Sequence, residues 1–420
     1  MTAQASQRSS VPGRLSLLMG PGLLIAVGYM DPGNWATGIA AGAQFGYKLL
    51  FMVVLSSLAA MLLQTLALRL GVVTGQDLAQ TSRLRYPRPV TFAHWAMAET
   101  AIVATDIAEV LGAALAFKLL FNLPLSIGIL LTAISTLIIL GIKGAANGRV
   151  QRIVLTLVTI IVMCFAVELA LITVDTNKLL QGFVPSLDTL AEPGALFIAV
   201  GIIGATVMPH NLYLHSALAR PPGRLNDDVQ VRQSLRSGSH DTIRALSIAA
   251  AVQVAILLVA ATVFHESGNT GISGIEQAHQ LLTPLTGVAL SAVLFALALL
   301  ASGQSATLTG TLAGQVVLEG FLQLRVPLWK QRIATRLLAI VPALWAILWL
   351  GDRAVGDLLV FSQVVLSIQL PFAVYPLIRF TNDKTLMGDF AISLPVALMA
   401  WLIFLLIGVA NLWLVASVIL

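Results

Sequence analysis

The sequence predicts an all-α integral membrane protein, and three observations lead there. Of its 420 residues, 58% are hydrophobic and 10% charged, against roughly 25% charged in an ordinary soluble domain. Charge-free runs recur at 49–68, 119–142, 193–219, 245–265, 358–378 and 390–420, each long enough to cross a hydrocarbon core of about 30 Å as a helix of about 20 residues. The short alternating segments of a membrane barrel do not occur, and a helix bundle is then the architecture that satisfies its backbone hydrogen bonds in lipid.

Taken in order, the apolar segments give eleven spans, centred on 17–43, 47–68, 92–117, 124–142, 153–174, 195–219, 245–264, 285–310, 334–350, 356–378 and 392–417. Arg8 and Arg14 precede the first run, but no small-residue cleavage site stands before its polar break, so a span is expected there rather than a signal peptide. With a cytoplasmic N-terminus, all but four of the 24 Lys and Arg residues fall in inner segments, the exceptions being Lys48, Lys118, Lys178 and Arg353. The positive-inside rule therefore places the N-terminus in the cytoplasm and the C-terminus outside. Residues 277–318 carry no charge and could hold two short spans. That would put Arg325, Lys330, Arg332 and Arg336 outside, so the segment is read as one span with an external lead-in containing Thr283 and Pro284. The expected organisation is a cytoplasmic tail at 1–14, a ten-helix core at 15–390 and an eleventh helix at 391–420.

The single cysteine, Cys164, lies in an apolar segment and leaves neither a disulfide nor a cysteine metal cluster. No G-x-x-x-x-G-K-[ST] loop occurs, so no ATPase engine or ATPase partner is called for. The basic residues are spread over short loops, a pattern of topology rather than of nucleic-acid binding.

The first span is interrupted by MDPGNWATG at 30–38. Proline cannot close the bond to the preceding turn and glycine eases departure from helical geometry, so Asp31, Pro32, Gly33 and Asn34 are expected to unwind the helix and free carbonyls at mid-membrane depth. GATVMPHNLYLHS at 204–216 repeats the motif: Pro209 and Asn211 have the spacing of Pro32 and Asn34, and IAVG occurs at both 25–28 and 198–201. With five spans before the sixth, the two copies run in opposite directions. An inverted repeat with a discontinuous helix in each half is a transporter signature, with the substrate site between the halves. A carrier is therefore expected, not an enzyme.

Asp31 offers an anionic oxygen, Asn34 a neutral carbonyl oxygen, and Pro209 leaves the carbonyl of Ala205 without its helical partner. Met208 can point a thioether to the same place. Calcium and magnesium prefer all-oxygen shells, whereas manganese, ferrous iron and softer ions accept mixed oxygen and sulfur ligation. Intramembrane carboxylates are functional candidates: Glu99, Asp106 and Glu109 lie on one predicted helix, the last two sharing a face at i,i+3. His210 and His215 follow the second break and can carry a proton near neutral pH. His94, His240, His265 and His279 fall at ends or in loops and are expected to be solvated, as is Asn147. Glu168 and Asn411 stay unassigned.

DPGN in the first span with MPHN in the sixth resembles the paired signatures of the Nramp family of proton-coupled divalent metal transporters, over essentially the whole chain. The resemblance implies a LeuT-type fold, a 5+5 inverted repeat (about 15–174 and 195–378) plus an eleventh helix. It implies ion ligation by Asp31, Asn34, the Ala205 carbonyl and the Met208 sulfur, with the Gly28 carbonyl and Gln363 contributing in some conformations. It also implies Mn²⁺ as the substrate, with Fe²⁺ and Cd²⁺ accepted, no permanent cofactor, and proton linkage through Asp31, Asp106, Glu109 and His210. A bacterial inner membrane is the expected location. The competing readings are an organic-cation or amino-acid symporter on the same fold, which has no need of Met208, and a membrane protein that binds metal without moving it.

Overall fold

A computed structural model describes residues 21–141, 148–221, 223, 227–272, 274–324, 328–351 and 355–419. The expected tail at 1–14, the start of the first span and Asn147 lie outside the described residues. Every described element is helical. The first interrupted span forms α1 (Pro21–Gly28) and α2 (Pro32–Phe45), followed by α3 (Leu50–Thr74), a short α4 (Leu78–Arg85), the long α5 (Arg88–Phe121), α6 (Leu125–Gly141) and α7 (Gly148–Leu171). Two short helices, α8 (Thr176–Gly182) and α9 (Leu187–Ala191), lead to the second interrupted span, α10 (Ala195–Val207) and α11 (Pro209–Leu218). The remainder is α12 (Asp228–Ala260), α13 (Ile275–Thr286), α14 (Ala289–Leu322), α15 (Leu328–Leu350), α16 (Val355–Asn382), α17 (Lys384–Met387) and α18 (Leu394–Ile419).

Eight helical stretches are long and apolar enough to cross a membrane, and two shorter apolar helices, Leu125–Ser135 and Leu337–Trp349, stand beside them. The protein is thus an all-α, multi-pass membrane protein. The interrupted spans occupy its centre: α1 and α2 pack along α12, α10 along α16 and α2, and α11 against α3 and α14. Trp35, fully buried, wedges α2 between Phe165 of α7 and Phe295 of α14, with ring centroids at 4.8 and 5.2 Å. By contrast α18 exposes Leu398, Leu402, Leu405 and Leu412, the pattern of a helix facing lipid at the edge of the bundle.

Several helices outrun the apolar segments. α12 begins at Asp228 rather than at 245, because Asp227 caps it through the N–H of Val229 and its charged first turns remain helical outside hydrocarbon. The lead-in before α14 is itself a helix, α13, closed by Gly287 in the left-handed region. Of the four histidines expected in solvent, only His240 is exposed. His265 Nδ1 is 2.9 Å from the Ala43 carbonyl oxygen, His279 lies against Phe295, and His94 is half-buried on α5. Glu168 is buried, accepting a 2.6 Å hydrogen bond from Ser291, and Asn411 bridges α18 to Ser367 of α16.

Candidate functional site

Residues 29–31 separate α1 from α2. Asp31 turns from extended backbone into α2 and caps it, its carboxylate accepting from the N–H groups of Asn34 at 3.0 Å and Gly33 at 3.2 Å. Pro32 follows at the first helical position, where its missing N–H costs nothing. The carbonyl of Met30 is taken by the Trp35 indole at 3.3 Å and by the Ser302 hydroxyl of α14.

The second break is one residue long. Met208 ends α10 and starts α11 with φ 35° and ψ 97°, a left-handed conformation that costs a side-chain-bearing residue energy and persists only when its surroundings impose it. Pro209 is the imposition: it has no N–H to return to Ala205. Fully buried Met208 packs with Ala101 and Ala104 of α5 and Leu366 of α16, and its sulfur accepts from Asn211 Nδ2 at 3.3 Å.

The two breaks meet at Asn34. Its Nδ2 lies 2.9 Å from Asp31 Oδ1, 2.9 Å from the Ala205 carbonyl oxygen and 3.0 Å from the Tyr29 carbonyl oxygen. Its Oδ1 points away and accepts from Gln253 Nε2 of α12 at 2.7 Å. In this arrangement three acceptors converge on the amide nitrogen, which alone has hydrogens to give them. Around this point the backbones come close. A side chain on Gly28 would strike the Asn211 amide, and one on Gly33 would strike Gln363. Gln363, fully buried on α16, donates to Ser362 Oγ at 2.9 Å, and its Oε1 has no hydrogen-bond partner among the described residues. Asp31, Asn34, Ala205, Met208, Gln363 and His210 are each at most 1% exposed, so the cluster is closed to bulk water from both sides. Among the described residues no three His, Cys, Asp or Glu side chains form a metal-ligating group. The donors here are instead one carboxylate, amides, main-chain carbonyls and a thioether.

The predicted proton-linked residues divide into three places. Asp106 and Glu109 share the face of α5 turned to α14, where a methyl group on Gly310 would meet Glu109 Oε1 at 2.9 Å and Asp106 Oδ1 at 3.4 Å. His210 reaches α5 one residue away, its Nδ1 lying 3.4 Å from Thr105 Oγ1. Glu99 stands two turns further down α5, half-buried. His215 belongs to a separate chain: its Nδ1 is 2.8 Å from Gln64 Oε1, and Gln64 Nε2 donates to the Tyr29 hydroxyl at 2.9 Å. Beyond Glu109, a cavity of about 470 Å³ opens at the end of α5, lined by Leu115, Glu276, Gln280 and Val355.

Sequence reasoning passed over Tyr29, Gln64, Thr206 and Gln253. Gln253 joins Asn34 to Thr206, to which its Nε2 also donates at 2.9 Å. Gln64 and Gln253 each stand alone in an apolar run, and a lone amide at that depth is a signal in itself.

A multi-pass helical membrane protein whose polar residues gather where two helices are interrupted has the build of a solute carrier. Comparison with known proteins narrows the class. The chain belongs to the Nramp family: residues 22–417 match the family described as Natural resistance-associated macrophage protein-like. It is 55% identical over 399 residues to the divalent metal cation transporter MntH 1 of Pseudomonas aeruginosa, spanning 95% of this chain and 91% of that protein. It is 52% identical over 405 residues to MntH of Ralstonia nicotianae, spanning 96% and 92%. Crystal structures of an Eremococcus coleocola manganese transporter mutant superpose with TM-score 0.88 at 36% identity, over 99% of this chain and 89% of that one. A nucleobase-cation-symport-1 family transporter shares the fold alone, at TM-score 0.63 and 14% identity over 90% and 80% of the two chains.

Proposed function

We propose that this chain imports divalent transition-metal ions together with protons by alternating access across a bacterial inner membrane, with Mn²⁺ the foremost substrate and Fe²⁺ and Cd²⁺ also accepted. Its relatives over nearly the whole length are divalent metal cation transporters. One observation carries the assignment of the site: Asp31 Oδ1, the Tyr29 carbonyl and the Ala205 carbonyl converge on a single point, within 3.0 Å of Asn34 Nδ2. A divalent cation at that point takes over from the amide hydrogens. The Asn34 amide then turns to present Oδ1, and the Met208 thioether adds a donor that Ca²⁺ and Mg²⁺ have little use for. Gln363 Oε1 and the Gly28 carbonyl join in other conformations. The metal and the proton are the substrates, and no permanent cofactor is required.

Proton linkage runs through Asp31, which is common to both routes, and then through His210, Asp106 and Glu109, with Glu99 further along α5. His215, tied through Gln64 to Tyr29, reports on the geometry of the first break. The inward-negative potential drives both cations into the cell. Coupling requires that protonation and metal binding favour different conformations.

The topology follows the same reading. The stretch Pro32–Thr74 turns at Gly46, whose φ is 58°, so it belongs to two spans. Counting it as two makes nine spans of the eight long stretches, and the two shorter apolar helices bring the number to eleven, which supports a 5+5 repeat (about 15–174 and 195–378) within a core at 15–390, and an eleventh helix at 391–420. The distribution of Lys and Arg supports an N-terminus in the cytoplasm and a C-terminus outside. The cavity beyond Glu109 then faces outward, where ions would enter.

The test is Mn²⁺ uptake into proteoliposomes with an inside-negative potential and external pH 5.5, with Ca²⁺ and Mg²⁺ as competitors. Wild type acidifies the lumen as Mn²⁺ enters, Asp31→Ala abolishes uptake, and Met208→Ala loses discrimination against Ca²⁺ or Mg²⁺. Mn²⁺ entry without acidification would refute symport, and equal Ca²⁺ competition in wild type and Met208→Ala would refute the role of sulfur.

A further inference from the structure

Apart from the residues of the two breaks, Arg69 on α3 and Arg232 and Arg236 on α12 line a cavity of about 360 Å³, together with Ser239 and with Asp389 and Phe390 from the connection before α18. The cavity is shaped around Phe390. Arg69 Nη1 donates to its carbonyl oxygen at 2.9 Å, and the Arg232 guanidinium lies over its ring, 5.6 Å from the centroid. Among the described residues none of the three guanidiniums forms an ion pair, although Asp389 shares the cavity. Arg232 and Arg236 are one helical turn apart, a like-charge spacing that destabilises a helix unless an anion sits between them. The pocket is net positive, and its forked donors suit phosphate oxygens.

Its level relative to the bilayer is legible on α12. The exposed face of that helix passes through Gln233, Arg236, Ser237 and His240, carries its last charge at Arg244, and continues as Ser247, Ile248 and Ala251, with Ile243 42% exposed at the change. That change from ionic to apolar marks the boundary between water and hydrocarbon, and the arginines stand just on its polar side. Across the cavity α18 starts with Leu394 71% exposed and Leu398 61% exposed, so apolar surface flanks the pocket on two helices. A free anion would use the guanidiniums and ignore those flanks.

We propose that this cavity binds the phosphate of an anionic phospholipid, its headgroup clamped by Arg69, Arg232 and Arg236 and its acyl chains lying along Ile243 and Leu394. Basic pockets between membrane helices take such headgroups. The site is separate from the metal cluster and does not depend on the transport reading.

The experiment uses the full-length protein, purified and delipidated in detergent, titrated with dioleoylphosphatidylglycerol, dioleoylphosphatidylcholine or inorganic phosphate. Binding is read by native mass spectrometry and by Tm. Phosphatidylglycerol binds and raises Tm, phosphatidylcholine does neither, and affinity falls about fivefold for each arginine removed in Arg232→Gln and Arg232→Gln/Arg236→Gln. Asp389→Asn, which removes the one carboxylate lining the cavity among the described residues, binds phosphatidylglycerol more tightly, a gain that misfolding cannot imitate. Inorganic phosphate raising Tm as much as phosphatidylglycerol would assign the pocket to a free anion and overturn the lipid. Equal binding of the two lipids, or no gain in Asp389→Asn, would overturn the site itself.

Discussion

The two helix breaks share a proline and an asparagine at the same spacing, yet they are held open by different means. At the first, three residues leave the helix and side chains satisfy what is freed: Asp31 caps α2, and Trp35 and Ser302 hold the Met30 carbonyl. At the second, one residue bends in a strained conformation and no side chain caps α11. The carbonyls four residues before each proline differ accordingly. Gly28 O already accepts from the Asp31 N–H at 3.2 Å, whereas Ala205 O, denied an N–H by Pro209, is met from across the interface by Asn34 at 2.9 Å. The first break therefore supplies charge and a fixed shape, and the second supplies an available carbonyl and a sulfur. The cation site proposed above, assembled from both halves, would be whole only when the halves are in register, which is what alternating access demands of it.

The largest effect expected from this asymmetry comes from giving each proline back its N–H. Pro209→Ala lets residue 209 compete for the Ala205 carbonyl, an interference on the scale of one hydrogen bond. The KM for Mn²⁺ uptake should rise about tenfold. Pro32→Ala restores an N–H whose partner is already engaged, and KM should change about twofold at most. Equal effects in the same proteoliposome assay would mean that the two prolines merely kink their helices.

Much of this was legible in the sequence, for physical reasons that also set the limit. A proline, two glycines and a carboxylate inside an apolar run have no cheap alternative explanation, so the breaks at Asp31 and Met208 could be read directly. So could the freed carbonyl of Ala205, since it follows from the covalent structure of proline. The orientation of the Asn34 amide could not, because it depends on Gln253, more than two hundred positions away and brought near only by the packing of α12 on α2. Helix ends were also hidden: apolar length locates hydrocarbon, and α12 continues well outside it. The repeated IAVG misleads, since its first copy ends α1 at Gly28 while its second lies within the body of α10. Proline and asparagine carry the repeat, and IAVG does not.

Gln253 gives the next sharpest test. Its N–H holds Asn34 Oδ1 away from the proposed ion position, and loading the site requires both amides to turn together. An ionised carboxylate at 253 can only accept, so Gln253→Glu should hold Asn34 with Nδ2 outward and Oδ1 toward the ion. Mn²⁺ affinity by isothermal titration at neutral pH should rise about fivefold and turnover should fall. Unchanged affinity would show that the Asn34 amide does not turn on loading.

The smallest effect is expected at Asp383, and its smallness is informative. Asp383 caps α17 much as Asp31 caps α2, its carboxylate accepting from the Thr385 N–H at 2.8 Å and the Thr385 hydroxyl at 2.6 Å, but it lies in an exposed connection outside the spans. Those two bonds to Thr385 hold its carboxyl below the ordinary carboxylate value. A depressed folded-state value means that the contribution to stability is present above the unfolded carboxylate range, near pH 4, and is lost as pH falls through the folded value. Asparagine keeps the cap and removes the titration. Asp383→Asn should therefore move Tm by about 1 °C at pH 7, flatten the loss of Tm below pH 4, and leave Mn²⁺ uptake as it was. Asp31→Asn makes the same chemical change at a helix start of the same kind. If capping were all that Asp31 did, the two substitutions would behave alike; loss of uptake in Asp31→Asn alone assigns its charge to the ion.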